Sequence, residues 1–162
     1  MAVQYSLLEV FEMAENIESN GYDFYTQAAD AIKDKTVKAL FHDLAGKELQ
    51  HKETFAKLRE EFCSAVETHW VDPDGQAAAY LKATADNHVF NLEKDVSSLL
   101  ASLQSAESAL RLAIGFEKDT IAFFTALKQA VTGENREKVD LLIKEELDHI
   151  RILQDAVKQL KS

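Results

Sequence analysis

Two short stretches, KELQHKETF at residues 47–55 and EELDHIRIL at residues 145–153, each place a Glu three residues before a His. In a helix that spacing sets the two side chains on one face, a turn apart. Carboxylate and imidazole together are a donor set for divalent transition metals. Glu48 with His51, and Glu146 with His149, are therefore two candidate half-sites. Two further Glu join them through an internal repeat. AENIESNGYDFY at 14–25 aligns with AIGFEKDTIAFF at 113–124, so that Ala14 meets Ala113, Glu18 meets Glu117, Phe24 meets Phe123 and Tyr25 meets Phe124. The stretch from Glu18 to Glu48 matches that from Glu117 to Glu146 to within a single position. The chain reads as a weak two-fold repeat of one helical hairpin.

The elements that must position these residues follow from apolar spacing. With turns centred near Lys33 and Thr132, Glu18, Glu48 and Glu117 are equally far along the chain from a turn, and Glu146 is one position closer. At a helical rise of about 1.5 Å per residue, all four stand about 22 Å from their turns. They also replace apolar residues in the inward stripes, which run 11, 14, 18, 21/22, 25 and 28/29, then 41, 44, 48, 51, 55 and 58, then 110, 113, 117, 120, 124 and 127, and last 139, 142, 146, 149, 153 and 156. Four carboxylates in one core layer repel each other and are costly to desolvate. No Lys or Arg occupies the stripes at that level, whereas two divalent cations would balance the charge. The alternative is a polar core network of protonated carboxylates, which would need separate compensation at six positions. Glu145, at i, i+4 from His149, could stand in for Glu146, but the repeat with KELQH selects Glu146.

Start and stop signals outline four long helices. Ser6 with Glu9 has the form of a capping box and opens a pattern reaching about Ile32. Asp34 suits the cap of the second helix, whose pattern decays near THWVDPDGQ at 68–76, where the only Pro and a Gly fall. Ser105 with Glu107 marks a third start. That helix runs to about Val131, with Gly133 suited to a left-handed C-terminal cap, and the fourth begins near Asn135. The expected fold is all-α: a four-helix bundle of two antiparallel hairpins, one domain over 1–162, joined by a long, partly helical crossover at roughly 67–105.

Composition narrows the classes of function. A net charge of −10 argues against nucleic acid and anionic membranes as partners. The single cysteine, Cys63, rules out a disulfide framework, a Cys-rich zinc site or a rubredoxin-type iron site within these residues. No leader-like segment and no 18-residue apolar run occurs, so a cytoplasmic protein is expected.

The chain resembles the ferritin-like di-iron carboxylate proteins, rubrerythrin-type, over essentially its whole length. The resemblance rests on Glu18 with Tyr25 two helical turns on, Glu48-x-x-His51, Glu117, and Glu146-x-x-His149. It implies two iron ions, with manganese or zinc as substitutes. Glu48 and Glu146 would bridge them, Glu18 and Glu117 would be terminal carboxylates, and His51 and His149 would bind one metal each. It also implies that Tyr25 hydrogen-bonds a ligand carboxylate. The function so implied is a non-haem di-iron oxidoreductase of peroxidase or ferroxidase type, acting on oxygen or hydrogen peroxide in oxidative-stress defence. The alternatives are an iron-handling protein and a bundle that holds a redox-inert metal.

The sequence departs from that family in several places. Full-length rubrerythrins carry a rubredoxin domain with cysteine pairs, which these residues lack, so the electron donor would be a separate protein or absent. The additional Glu that rubrerythrins carry on the third helix for peroxide chemistry is absent, with Ile114 and Thr120 one turn from Glu117. The tyrosine expected on that helix is Phe124. The stretch from Glu48 to Glu117 exceeds ferritin spacing, so the resemblance does not extend to a cage. His42, His69 and His88 lack partners at ligand spacing, and Trp70 reads as a packing or contact residue. Glu12, Glu15, Asp119 and Asp148 read as charges of solvated faces. Apolar residues within 77–104 suggest a cap on the bundle or a homodimer interface.

Overall fold

The computed structural model describes residues 6–64 and 105–162, together with 76, 79–81, 83 and 98. Four long helices carry the fold: α1 (Leu7–Ala31), α2 (Lys35–Ser64), α3 (Ala106–Ala130) and α4 (Gly133–Gln159). Among the described residues there is no strand. No described helix is long and apolar enough to cross a membrane.

Local chemistry sets most of the ends. The Ser6 side chain accepts from the Glu9 amide while Glu9 reaches back to the Ser6 backbone, which closes the expected capping box. Asp34 caps α2 by accepting from the amides of Thr36 and Val37, both at 2.9 Å. Ser105 caps α3 by accepting from Ser108 at 3.1 Å. One end differs from the sequence reading. Gly133 does adopt left-handed backbone, φ 58°. It is, however, the first residue of α4, with Thr132 at the N-cap, so the turn is only Val131 and Thr132. A connection that short leaves the glycine to make the reversal and to begin the next helix at once.

The short turn at 32–34 folds α2 back on α1, and the turn at 131–132 folds α4 back on α3. Packing is densest within each hairpin, and α1–α3 and α2–α4 contacts join the hairpins. This is an all-α helical bundle. The inward stripes are buried as the spacing predicts, from Phe11, Ala14 and Tyr25 on α1 to Val139, Leu142 and Leu153 on α4. Ala156 is only partly buried and Val157 takes its place at the end of the α4 stripe. At 21/22 the buried residue is Gly21, while Tyr22 is exposed.

The described residues of the crossover, at 76, 79–81, 83 and 98, are helical, with Leu81 buried and Tyr80 exposed. The expectations for His69, Trp70, His88 and the 77–104 interface otherwise lie outside the described residues, as does the Cys63 side chain. His42 is exposed.

Candidate metal centre

Halfway along the bundle the apolar core gives way to one polar layer. Glu18, Glu48, Glu117, Glu146 and His149 are completely buried, and His51 is 2% exposed. The layer is walled by aromatic rings. Phe55 packs on Phe124 at 4.8 Å between centroids, and Tyr25 lies against Phe41 and Phe116. The two imidazoles stand parallel, 5.5 Å apart. All six residues singled out by spacing are thus brought together.

Their donor atoms form two overlapping groups: Glu18, Glu48, His51 and Glu146, and Glu48, Glu117, Glu146 and His149. Within each group one atom per residue lies within 4.8 Å of every other. Each hairpin supplies the rest of its own group and borrows the Glu of the other hairpin's Glu-x-x-His. Glu48 and Glu146 belong to both.

The contacts inside the layer are close but poorly aligned for hydrogen bonds. His51 Nδ1 is 2.7 Å from Glu146 Oε1 and 3.5 Å from Glu18 Oε2. His149 Nδ1 is 2.9 Å from Glu146, 3.3 Å from Glu117 and 3.5 Å from Glu48. Yet both oxygens of Glu18, Glu48 and Glu146, one of Glu117, and Nδ1 of each His have no hydrogen-bond partner among the described residues. Buried polar atoms are rarely left so. Lone pairs that converge on common points without bonding one another are what a coordinated cation requires, so the donor set fits metal.

Electrostatics agree. Burial, reinforced by the neighbouring carboxylates, pushes Glu18, Glu48 and Glu117 well above the usual carboxylate range. Burial would also raise Glu146, but the close approach of the His149 and His51 imidazoles outweighs it and holds that carboxyl low. Burial pulls both imidazoles down, and the carboxylates reverse this, raising His51 to about 9 and His149 to about 12. A cation binding to these donors would have to displace the protons that they hold so firmly.

Tyr25 donates to Glu117 Oε1 at 2.5 Å. Spacing along α1 pairs it with Glu18, two turns earlier on its own helix; the partner lies across the bundle on α3. Three features escape the sequence pattern. Glu145, which the repeat sets aside in favour of Glu146, sits 2.6 Å from His51 Nε2 through its Oε2. Adjacent helical residues point about 100° apart, so Glu146 enters the core while Glu145 reaches the α2 seam. Gly21 lets the Phe116 ring and the Glu48 carboxylate approach the α1 backbone, for a Cβ there would lie 2.6 Å from Phe116 Cζ and 2.8 Å from Glu48 Oε2. Glu15, expected on a solvated face, is half-buried and accepts from Arg59 Nε at 2.6 Å.

Comparison with known proteins places this geometry in a family. The rubrerythrin family model matches residues 9–100, more than half of the 162-residue chain. The chain belongs to the rubrerythrin family. A ferritin-like diiron-carboxylate protein from Thermotoga maritima has the same fold, with a TM-score of 0.70, 22% identity and 95% of each chain covered. No curated protein matches the sequence significantly. The family match includes Glu18, Tyr25, Glu48 and His51. Glu117, Glu146 and His149 lie beyond it and stand on the repeat and on their geometry.

Proposed function

We propose that the chain is a dinuclear-metal oxidoreductase, holding two iron ions and acting on oxygen or hydrogen peroxide. The observation that carries this reading is the pair of four-donor groups sharing Glu48 and Glu146, with every carboxylate oxygen but Glu117 Oε1 unpartnered among the described residues of a buried core. Glu48 and Glu146 would bridge the two ions, with Glu18 and His51 completing one position and Glu117 and His149 the other. Carboxylate-rich donors favour iron in its oxidised state, and two adjacent irons can together deliver the two electrons that reduction of peroxide demands. The protein's own part is to hold these donors rigidly, to exclude bulk water with Phe41, Phe55, Phe116 and Phe124, and to steady Glu117 through the Tyr25 hydroxyl. Reducing equivalents would come from a separate electron donor, a cytoplasmic setting suits the reading, and the working unit is proposed as a homodimer.

The direct test loads apo protein anaerobically with two equivalents of ferrous iron per chain, then admits oxygen or peroxide in separate runs. Rapid oxidation at a stoichiometry of two, abolished in Glu48→Ala, supports the reading, and the faster oxidant identifies the substrate. Binding without oxidation would replace it with a redox-inert metal bundle.

A further inference from the structure

Although the two donor groups are related by the repeat, their surroundings are not. Behind His51, on the side away from the polar layer, Glu145 Oε2 lies 2.6 Å from Nε2. Behind His149, Nε2 is buried with no hydrogen-bond partner among the described residues. The sequence shows why. EELDH on α4 aligns with KELQH on α2, so the position matching Glu145 is Lys47, whose ammonium can donate but never accept. A carboxylate oxygen is an acceptor, so the Glu145 contact favours a proton on His51 Nε2, and Nδ1 is the ring nitrogen turned toward the polar layer, where a metal would take its lone pair. Nδ1 does face inward, 2.7 Å from Glu146 and 3.5 Å from Glu18. The Glu145 side chain is 60% exposed, so it is not part of the core and packing does not explain its contact with a buried ring.

We infer that Glu145 is a positioning residue for His51 alone, and that it makes the two metal positions inequivalent: the position built on Glu18 and His51 depends on it, while the position built on Glu117 and His149 does not. This rests on the dinuclear reading above. Carboxylates that hold the outer nitrogen of a ligating imidazole set its tautomer and ring angle, and losing one typically lowers metal affinity about 10–100-fold.

The test uses Co2+ alone as probe, titrated into apo protein and followed by visible absorbance, with proton NMR of the loaded form. Wild type should take two equivalents and show a hyperfine-shifted, slowly exchanging imidazole N–H from the Glu145-held ring. Glu145→Ala should keep one equivalent at wild-type affinity, weaken the other about 10–100-fold and lose that N–H signal. Glu145→Gln, whose amide oxygen still accepts, should restore most of both. Asp148→Ala, which removes an exposed acid of the same helix paired with Arg151, should change neither. Circular dichroism confirms that each variant folds. Two unchanged equivalents in Glu145→Ala, or equal weakening of both, would overturn the inference while leaving the dinuclear reading in place. Failure of wild type to bind two equivalents would overturn both.

Discussion

Tyr25 and Gly21 show how much single atoms matter in the polar layer. The Tyr25 hydroxyl is the hydrogen bond that Glu117 Oε1 receives. Tyr25→Phe removes it while leaving the ring packing in place. The expected loss is about 1–3 kcal/mol, that of stranding a buried acceptor, read as a lower urea midpoint of the apo protein. The sequence offers Tyr25 through its spacing from Glu18, but spacing along one helix cannot say which carboxylate across the bundle the hydroxyl meets. Gly21 is legible only as a stripe position. Gly21→Ala should raise helix propensity yet destabilise, by about 1–3 kcal/mol, because the new methyl collides with the Phe116 ring and the Glu48 carboxylate. A melting temperature above that of wild type would show that the ring yields. Glu18, Glu48, His51, Glu117, Glu146 and His149 are legible because each interrupts an apolar stripe. Glu145 is not, since its role depends on how α4 sits against α2.

At the scale of elements, caps and turns carry the register that brings four Glu to one height. Asp34 is the clearest case, since one carboxylate oxygen accepts from two amides at the start of α2. Asp34→Ala should destabilise by about 0.5–2 kcal/mol in a urea melt while leaving Co2+ stoichiometry unchanged, because the cap lies about 20 Å from the polar layer. A lost metal equivalent would mean that the first turn sets the site more tightly than the helices themselves. Helix starts at Ser6, Asp34 and Ser105 can be read from side chains that seek free amides. The start of α4 cannot, for Thr132 makes no side-chain cap and the reversal rests on the backbone of Gly133. The crossover is the least legible, because 77–104 carries apolar residues without a sustained helical period.

For the whole molecule, the protons held in the polar layer link stability to pH. Glu18, Glu48 and Glu117 have folded-state values raised above those of the unfolded chain, and so do His51 and His149. Groups shifted upward stabilise fully below their unfolded values and lose that contribution as pH rises through their folded ones. The apo protein should therefore lose stability as pH rises from about 4.5, the unfolded carboxyl value, with the His51 share gone above about 9 and the His149 share only above about 12. Glu146, shifted the other way, is lost only on acidification. Metal binds the deprotonated donors, so the rise in melting temperature on adding Co2+ should be larger at pH 8 than at pH 5, with protons released on binding. A flat apo profile measured by calorimetry would contradict the buried charge balance of the polar layer.

The borrowing of one carboxylate by each hairpin has a consequence for ancestry. A lone hairpin bearing one Glu and one Glu-x-x-His holds three donors, one short of either group. Two identical hairpins placed side by side would complete both groups at once, each lending the other its fourth donor. The repeat in this chain is what a duplicated and fused self-pairing peptide would leave behind. Lys47 against Glu145, and Phe124 against Tyr25, are then places where the two copies have since drifted apart.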